Sequence, residues 1–463
     1  MSDEASRRAA EDQAFQPKNL PPLQKRVIDK IFRRLILFIF ILFLFTLLDR
    51  INIGFAGLTM GRDIGLTATE FGLAASLFYI AYAVCGVPNN MALAKVGAKI
   101  WMGLIMILWG FASTATMFAE GPKSLYALRI LVGICEAGFL PGVLVYLTYW
   151  FPAHFRARAN ALFIFAMPVT IGIGSVVSGY ILEMDGFLYL RGWQWLFFLE
   201  GFPCVVLGVL VWIILDDSPD NARWLTEEEK QCLKEMMESD RLVLVQKEGP
   251  QAMEAVEPHS LRSDSFLRQV FTPIVLMYTL AYFFLCNSVS CTVVWNPLII
   301  KSMAEENTPN HIIGLLAAIP QVCTIILMVY WGRRSDRKAE RKFHTWFPYI
   351  ISAAGWVMAA IPGQPEVQFA GICLASAGAY TAMAIFWTTP DQSISEKSRA
   401  VGIAVTNVIG NLGLASGPFI VGWMYDMFQN YEVGLYSLAV LLVAGAVTVM
   451  MIPMKQSRPS ALP

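Results

Sequence analysis

Four ionisable side chains stand inside apolar stretches of the chain, where a charge is costly. They are Asp49, Arg50, Arg129 and Glu136, in LFTLLDRINIGFAG (44–57) and LYALRILVGICEAGFLPG (125–142). An arginine stays charged and offers a fork of donors that fits a carboxylate. Burial favours the neutral form of a carboxyl group, whereas a neighbouring arginine favours its charged form. Such a set could bind an organic anion together with a proton.

The apolar run before the first pair is too short to cross a membrane alone. Its 14 residues, Leu35 to Leu48, cover about 21 Å as a helix, against a hydrocarbon core of ~30 Å. The same helix must therefore carry Asp49, Arg50 and Asn52 into the membrane or to its edge. A charge there costs at least ~2.5–3.5 kcal/mol and normally faces a partner or a polar cavity.

The spacing of the second pair places it on one helix face. Arg129 and Glu136 are i and i+7, with Gly133 between them to permit close approach. Glu136 lies about 10 Å deeper than Arg129, close to the membrane midplane, and helical arithmetic puts Arg50 at the depth of Arg129. We expect two arginines at one level, with Asp49 and Glu136 as proton-coupling carboxylates at or below it. The alternative is a set of structural ion pairs that hold helices in register.

Softer signals come from isolated polar and aromatic residues. Asn407 and Asn411 share a face four residues apart, and Asn407 is either a ligand or a packing residue among glycines. Six aromatic residues are candidates for the wall of a cavity: Phe78, Tyr79, Tyr82, Tyr282, Phe386 and Trp387. Glu200 stands near the start of its apolar run, where an interfacial hydrogen-bonding role is favoured over a functional one.

Composition makes the whole chain a membrane protein. Its 463 residues are 56% hydrophobic and only 15% charged, and apolar runs near 18 residues recur throughout. The 35 basic and 35 acidic residues balance, which argues against a nucleic-acid partner. Eight cysteines and four histidines form no ligand-spaced cluster, so no metal and no cofactor are expected. No nucleophile–base or metal cluster indicates an enzyme.

The apolar runs predict an all-α protein with twelve transmembrane helices. The predicted spans are 32–55, 70–94, 100–119, 125–149, 160–182, 194–215, 271–298, 312–331, 345–362, 367–388, 400–424 and 433–454. They divide the chain into five regions: a tail 1–31, a six-helix half 32–215, a linker 216–268, a second half 269–454 and a tail 455–463. Within the linker, Thr226 and the following glutamates predict a capped, short amphipathic helix.

Lysine and arginine placement predicts the orientation. With the N-terminus inside, the short inner segments hold 22 Lys and Arg residues and the outer loops hold four. This asymmetry puts both termini in the cytoplasm. Basic loops recur after spans 2 and 8, as AKVGAK (94–99) and GRRSDRKAERK (332–342), and after spans 4 and 10, as FRARANAL (155–162) and KSRAVGIA (397–404). The repetition predicts two parallel six-helix repeats.

Three motifs carry a family resemblance. LDRINIGFAG (48–57), RILVGICEAGFLPG (129–142) and GWQWLFFLEGFP (192–203) resemble the anion:cation symporter family of the major facilitator superfamily. The resemblance implies Asp49 and Glu136 as protonatable groups, and Arg50 and Arg129 as charge partners and substrate ligands. It also implies that Tyr82 and Asn407 line the cavity.

The resemblance further implies a fold and a cargo. The major facilitator fold is expected, in a monomer of the bacterial inner membrane. A small aromatic carboxylate, 4-hydroxyphenylacetate, would enter with protons by alternating access, its ring near Trp387. The family usually has an Asp in the loop after span 2, where this chain has Ala94. Gating on the cytoplasmic side is therefore expected to depend mainly on Asp336 and Arg337 of the second half.

Several alternatives stay open. Another organic anion, such as a sugar acid, tartrate or phthalate, fits the same residues, and the sequence does not fix the direction of transport. A structural or sensor protein would more often carry a large signalling domain, and the 53-residue linker is too short for one. A passive channel has no need of buried acid–base pairs.

Overall fold

The computed structural model describes residues 21–248, 272–338, 340–394 and 396–454, and within them every long element is a helix. The first part contains α1 (Pro22–Ile31), α2 (Leu37–Asp63), α3 (Ala68–Val96), α4 (Ala98–Ala115), α5 (Pro122–Glu136), α6 (Phe139–Trp150), α7 (Ala153–Leu182), α8 (Gly192–Ile214) and α9 (Glu227–Glu248). The second part contains α10 (Pro273–Val294), α11 (Asn296–Met303), α12 (Asn310–Lys338), α13 (Lys342–Ala359), α14 (Pro365–Phe386), α15 (Glu396–Phe428) and α16 (Glu432–Met451).

The helices form the twelve crossings of a major facilitator fold, as predicted. Ten helical stretches in the described residues are long and apolar enough to cross a membrane, and α7 and α13 complete two sets of six. The predicted spans 125–149 and 271–298 are each divided into two helices, at Ala137–Gly138 and at Trp295. Large apolar side chains such as Ile213 (72% exposed) and Val440 (67% exposed) cover the outer surface, which suits contact with lipid.

Local signals explain where the crossings begin and end. Thr67 and Glu70 form a reciprocal capping box that starts α3, with N–O distances of 3.1 and 3.0 Å. Gly97 ends α3 with a φ of +93°, a conformation that glycine adopts without strain, and α4 begins at the next residue. Pro122 begins α5, where a missing N–H costs nothing.

The tail and the linker contain more structure than predicted. Residues 1–20 of the predicted tail lie outside the described residues, as do 249–268 of the linker and 455–463 at the other end. Helix α1 buries Val27, Ile28 and Ile31 because these residues share one face. The predicted cap is confirmed, because Glu229 N–H donates to Thr226 Oγ1 at 3.2 Å. The helix that it starts is not short as predicted, since it is 22 residues long.

In the described part of the chain, the two halves pack against each other on one side of the molecule, where they share an apolar core. We call the side that carries the turn between Asp63 and Ala68 the closed side, and the side that carries both ends of the described chain the open side. On the closed side α3 packs on α15, α7 on α12, and α2 on α11. Phe71 of the first half meets Trp295 of the second edge to face, with ring centroids 5.4 Å apart. Toward the open side the halves separate around a cavity.

Candidate functional site

Asp49 is held inside the first half by neutral donors. Its side chain is 1% exposed, and Oδ1 accepts hydrogen bonds from Ser113 Oγ and from Asn52 Nδ2, the latter at 2.9 Å. Oδ2 has no hydrogen-bond partner in the described part of the chain. A carboxyl group with one satisfied and one free oxygen can hold a proton on the free oxygen without breaking either bond.

Arg50 makes the closest charge contact of the site. Its Nε lies 2.5 Å from Glu136 Oε1, across the interface between α2 and α5. The guanidinium also lies over the ring of Tyr82, 5.0 Å from the centroid. Glu136 is 1% exposed and its Oε2 has no partner among the described residues, whereas the Arg50 side chain remains 24% exposed. The arginine is thus accessible from the cavity and its counter-charge is not.

Arg129 lies behind the cavity wall. It is 2% exposed, its guanidinium lies over the Phe78 ring at 4.7 Å, and its Nε has no hydrogen-bond partner within the described residues. Gly133 makes this placement possible, because a Cβ there would meet the carbonyl oxygen of Phe78 and approach Ala81 Cβ to 3.0 Å. Helices α3 and α5 therefore touch backbone to backbone, as the i, i+7 face predicted.

The structure adds the partner of Arg50 to the predicted depths. Residue counting set Arg50 level with Arg129 and above Glu136, and the structure pairs Arg50 with Glu136. Helical side chains tilt toward the N-terminus of their own helix. Because α2 and α5 run in opposite directions, this tilt brings the two side chains toward each other, so they can meet although their Cα atoms are predicted at different depths.

A cavity of about 540 Å³ lies between the halves, beside this cluster. The first half contributes Arg50, Tyr79 and Tyr82 to its wall, and the second contributes Tyr282, Trp387 and Asn407. Asp49, Arg129 and Glu136 are not part of the wall. Exposed Asn90 and Asn407 show that water reaches the cavity from the open side. The volume is in the range of small-molecule sites.

The second half contributes aromatic rings and amides to the cavity wall. Tyr282 stacks on Phe386 with centroids 5.2 Å apart and meets Trp387 edge to face at 4.8 Å. Asn411 Nδ2 donates to Asn407 Oδ1 at 3.1 Å, so the two asparagines share a face as predicted. A planar ring fits between such aromatic side chains, and the amides can bond its polar substituents.

The predicted gating residues are remote from the cavity. Asp336 pairs with Arg341 at 2.7 Å, and Arg337 is exposed on the open-side end of α12. Among the side chains that the structure describes, Asp336 and Arg337 have no hydrogen bond or ion pair with the first half. Glu200 is more deeply placed than expected at an interface: it is 2% exposed, and Ser178 Oγ donates to it at 2.7 Å.

One partner residue was not predicted from the sequence. Ser113 donates a hydrogen bond to Asp49. It is one of several small polar residues in an apolar helix, and no spacing singles it out. Of the aromatic residues that the sequence offered as candidates for the wall, four line the cavity, namely Tyr79, Tyr82, Tyr282 and Trp387, whereas Phe78 and Phe386 are not part of its wall.

Comparison with known proteins gives the family and the fold. The Major Facilitator Superfamily profile matches residues 38–418 and 280–462. A putative tartrate transporter of Agrobacterium vitis is 37% identical over 95% of this chain and 94% of its own length. The putative metabolite transport protein NicT of Pseudomonas putida is 35% identical over 93% and 95%. A quinolone resistance transporter of Acinetobacter baumannii is 34% identical over 94% and 96%.

Solved structures share the architecture. An inward-facing, occupied bacterial homologue of the human lysosomal transporter Spinster superposes with a TM-score of 0.69 at 15% identity, covering 90% of this chain and 95% of that one. The D-xylose–proton symporter superposes with a TM-score of 0.66 at 15% identity, covering 90% and 98%. At this identity the likeness concerns the fold alone.

Proposed function

This chain belongs to the Major Facilitator Superfamily, and from that premise we propose that it is a proton-coupled symporter that imports a small organic carboxylate. It is a multi-pass membrane transporter and not an enzyme. We place it in the bacterial inner membrane as a monomer with both termini in the cytoplasm. The open side then faces the cytoplasm, and the structure is the inward-facing member of an alternating-access cycle.

The contact between Arg50 and Glu136 is the observation that carries this proposal. Arg50 can be reached from the cavity, and Glu136 is buried behind it at 2.5 Å. A substrate carboxylate that pairs with Arg50 must compete with Glu136 for the same guanidinium. A displaced, buried Glu136 would be an uncompensated charge, which costs several kcal/mol unless it takes up a proton. Anion binding and proton binding therefore favour each other, which is the coupling that symport requires.

Formal charge sets the minimum stoichiometry. The buried cluster of two arginines and two carboxylates is neutral when all four are charged. One monovalent anion adds one negative charge, and one proton on Glu136 or Asp49 restores neutrality. Arg50 is the first ligand because it lies on the wall, and Arg129 supplies the second positive charge from behind Phe78. We propose at least one proton per anion.

The aromatic wall of the second half supports an aromatic cargo. Tyr282, Phe386 and Trp387 form a cluster that a phenyl ring could extend, and Asn407 could bond a phenol hydroxyl. Motifs such as LDRINIGFAGLTMGRD (48–63) and AIFWTTPDQSIS (384–395) are similar to those of bacterial 4-hydroxyphenylacetate permeases. We therefore propose 4-hydroxyphenylacetate as the cargo.

Tartrate or another organic acid is the second candidate. The relatives from Agrobacterium vitis are described as putative tartrate transporters, and the arginines would serve any carboxylate. We also propose Asp336 and Arg337 as part of a gate that forms when the open side closes.

Purified protein in liposomes tests cargo and coupling together. An inside-alkaline pH gradient with labelled 4-hydroxyphenylacetate should drive accumulation, and a protonophore should abolish it. Unlabelled tartrate, a sugar acid and phthalate serve as competitors. Stronger competition by tartrate than by 4-hydroxyphenylacetate would transfer the proposal to tartrate. Flux that ignores the protonophore would contradict symport.

A further inference from the structure

The closed side contains two carboxylates that each bond the other half of the molecule. Asp426, near the end of α15, accepts backbone N–H bonds from Ala68 at 3.1 Å and Thr69 at 2.7 Å, at the start of α3. Glu183, directly after α7, accepts the backbone N–H of His311 at 3.1 Å, at the start of α12, and lies 3.3 Å from His311 Nδ1. Asp426 belongs to the second half and bonds the first, whereas Glu183 belongs to the first half and bonds the second.

The two contacts occupy equivalent positions in the two six-helix halves. A glycine stands four residues before each acid, Gly179 before Glu183 and Gly422 before Asp426. A Cβ on Gly179 would lie 2.8 Å from the Asn310 carbonyl oxygen, and one on Gly422 would meet the carbonyl oxygen of Ala68. Each glycine thus touches the first turn of the helix that its acid caps.

The receiving helices repeat the same arrangement. Gly314 is four residues after Asn310, and Gly72 is four residues after Ala68. A Cβ on either would meet a carbonyl oxygen of the partner helix, four residues before the partner glycine, at Ser175 and Pro418 respectively. Two glycines and one acid per interface therefore recur in both halves, although the two segments, GYILE (179–183) and GWMYD (422–426), share only the glycine and an acidic end.

Asp426 completes the hydrogen bonding at the start of α3. The first four N–H groups of a helix have no partner within it. At the start of α3, the capping box uses Thr67 N–H and Glu70 N–H. Ala68 and Thr69 are the N–H groups between them, and both go to Asp426 from the opposite half. A carboxylate at this position is also favoured by the helix dipole.

We propose that Glu183 and Asp426 are a reciprocal pair of latches that stabilise closure on this side and must both release when the cavity opens toward it. Each acid and the amides that it caps belong to different halves, so the bonds exist in one state of the cycle only. Release returns three backbone N–H groups and two carboxylates to water. The latches act whatever the cargo, so this inference does not depend on the substrate or on proton coupling.

Asp185 offers a matched control. It lies two residues from Glu183 and also accepts a backbone N–H at a helix start, from Gly192 at 2.9 Å. That bond lies within the first half, so it persists in every state. Asp185→Asn removes a negative charge from a helix cap on the same side without touching the interface between the halves.

Hydrogen–deuterium exchange of the full chain in lipid nanodiscs tests the proposal. The variants are Glu183→Gln, Asp426→Asn, Asp426→Ala and the control Asp185→Asn. Since Asn keeps one acceptor oxygen and Ala keeps none, the effect should rise from Asp426→Asn to Asp426→Ala. Each lost latch should shift the ratio of molecules closed on this side to molecules open on it about tenfold toward the open ones, which corresponds to about 1.4 kcal/mol.

The informative measurement is amide exchange at the helix start that is capped by the acid left unchanged. Asp426→Ala should speed exchange at the start of α12, around His311, and Glu183→Gln should speed it at the start of α3. Exchange near the open-side ends of α3 and α15 should slow in parallel. Faster exchange confined to the helix whose own cap was removed, or an equal effect of Asp185→Asn at both sites, would overturn the proposal.

Discussion

The two halves share one architecture and differ in the chemistry that they bury. Helices α2 to α8 bury Asp49, Arg129, Glu136 and Glu200, with Arg50 half-buried beside them. Among the described residues of α10 to α16, the buried polar side chains are hydroxyls and amides, such as Asn287, Asn296 and Gln321, together with His344 near the open-side surface. Among the described residues, the buried charges are concentrated in the first half, and the buried polar groups of the second half are neutral apart from His344.

The difference has a mechanical reason. Arg50 bonds Glu136, and Asp49 bonds Ser113 and Asn52, all inside the first half. If each half moves as a body during alternating access, these buried contacts are kept, and no charge loses its partner merely because the halves rock. Rocking of the halves alone would then leave the Arg50–Glu136 pair intact. Contacts between the halves, such as those of Asp426, change with the conformation instead.

The largest effect should follow from breaking the charged pair. Arg50→Ala leaves Glu136 buried without a counter-charge, a loss worth about 3–5 kcal/mol. We expect uptake into liposomes to fall at least 100-fold, with a smaller fall in Arg50→Lys, which keeps the charge. Near-normal uptake by correctly folded Arg50→Ala would contradict the role of Arg50 as first ligand.

A second, smaller loss should follow from Arg129→Ala. This arginine is not on the wall, so it acts through the field of a buried positive charge and not through a first contact. We expect about a tenfold rise in KM for the anion, measured by initial uptake at several concentrations. Intact uptake would show that Arg129 has a structural role alone, in holding α3 and α5 together. A change in thermal stability without a change in KM would support the same conclusion.

The equivalent test in the second half should leave coupling unchanged. Asn407→Ala removes a neutral hydrogen-bonding group, worth about 0.5–1.5 kcal/mol. We expect KM to rise about threefold to tenfold for a hydroxylated ring and little for phenylacetate, with the same dependence on the pH gradient. Loss of proton-driven accumulation in this variant would show that a neutral group of the second half also takes part in coupling, which contradicts the proposed difference between the halves.

An acid–base pair with one partly exposed member should show the smallest effect. Outside the membrane, Lys30 Nζ lies 2.6 Å from Glu229, joining α1 to α9. Burial raises the pKa of Glu229, but the hydrogen bonds from Lys30 and from the Thr226 backbone outweigh it and lower the pKa below its ordinary value. The stabilisation is therefore present at neutral pH and is lost as pH falls through that lowered value.

Glu229→Gln measures this contribution. The side chain of Lys30 is 36% exposed, so solvent screens the pair, and we expect a loss of about 0.5 kcal/mol in the free energy of unfolding at neutral pH. The gap between variant and wild type should close under acidic conditions, while transport stays normal. A gap that widens on acidification would reverse the assigned sign.

The sequence predicted the architecture better than the contacts among the charged side chains. Long apolar runs gave the twelve crossings, and the Thr226 capping box gave the start of α9. The partner of Arg50 depends on side-chain tilt in two antiparallel helices, which residue counting leaves out. Ser113 has no spacing signal, and the breaks at Ala137–Gly138 and Trp295 interrupt apolar runs that composition alone reads as continuous. Glu183 and Asp426 look like ordinary acids at helix ends until the halves are brought together.

The central claim is that a bound anion takes Arg50 from Glu136 and that the carboxyl group then takes a proton. Proton uptake by purified protein in weakly buffered solution, recorded as substrate is added, measures this directly. We predict about one proton bound per anion for the wild type, and none in Glu136→Gln, which should still exchange substrate across liposomes. Equal proton uptake in both proteins, or none in the wild type, would contradict the account.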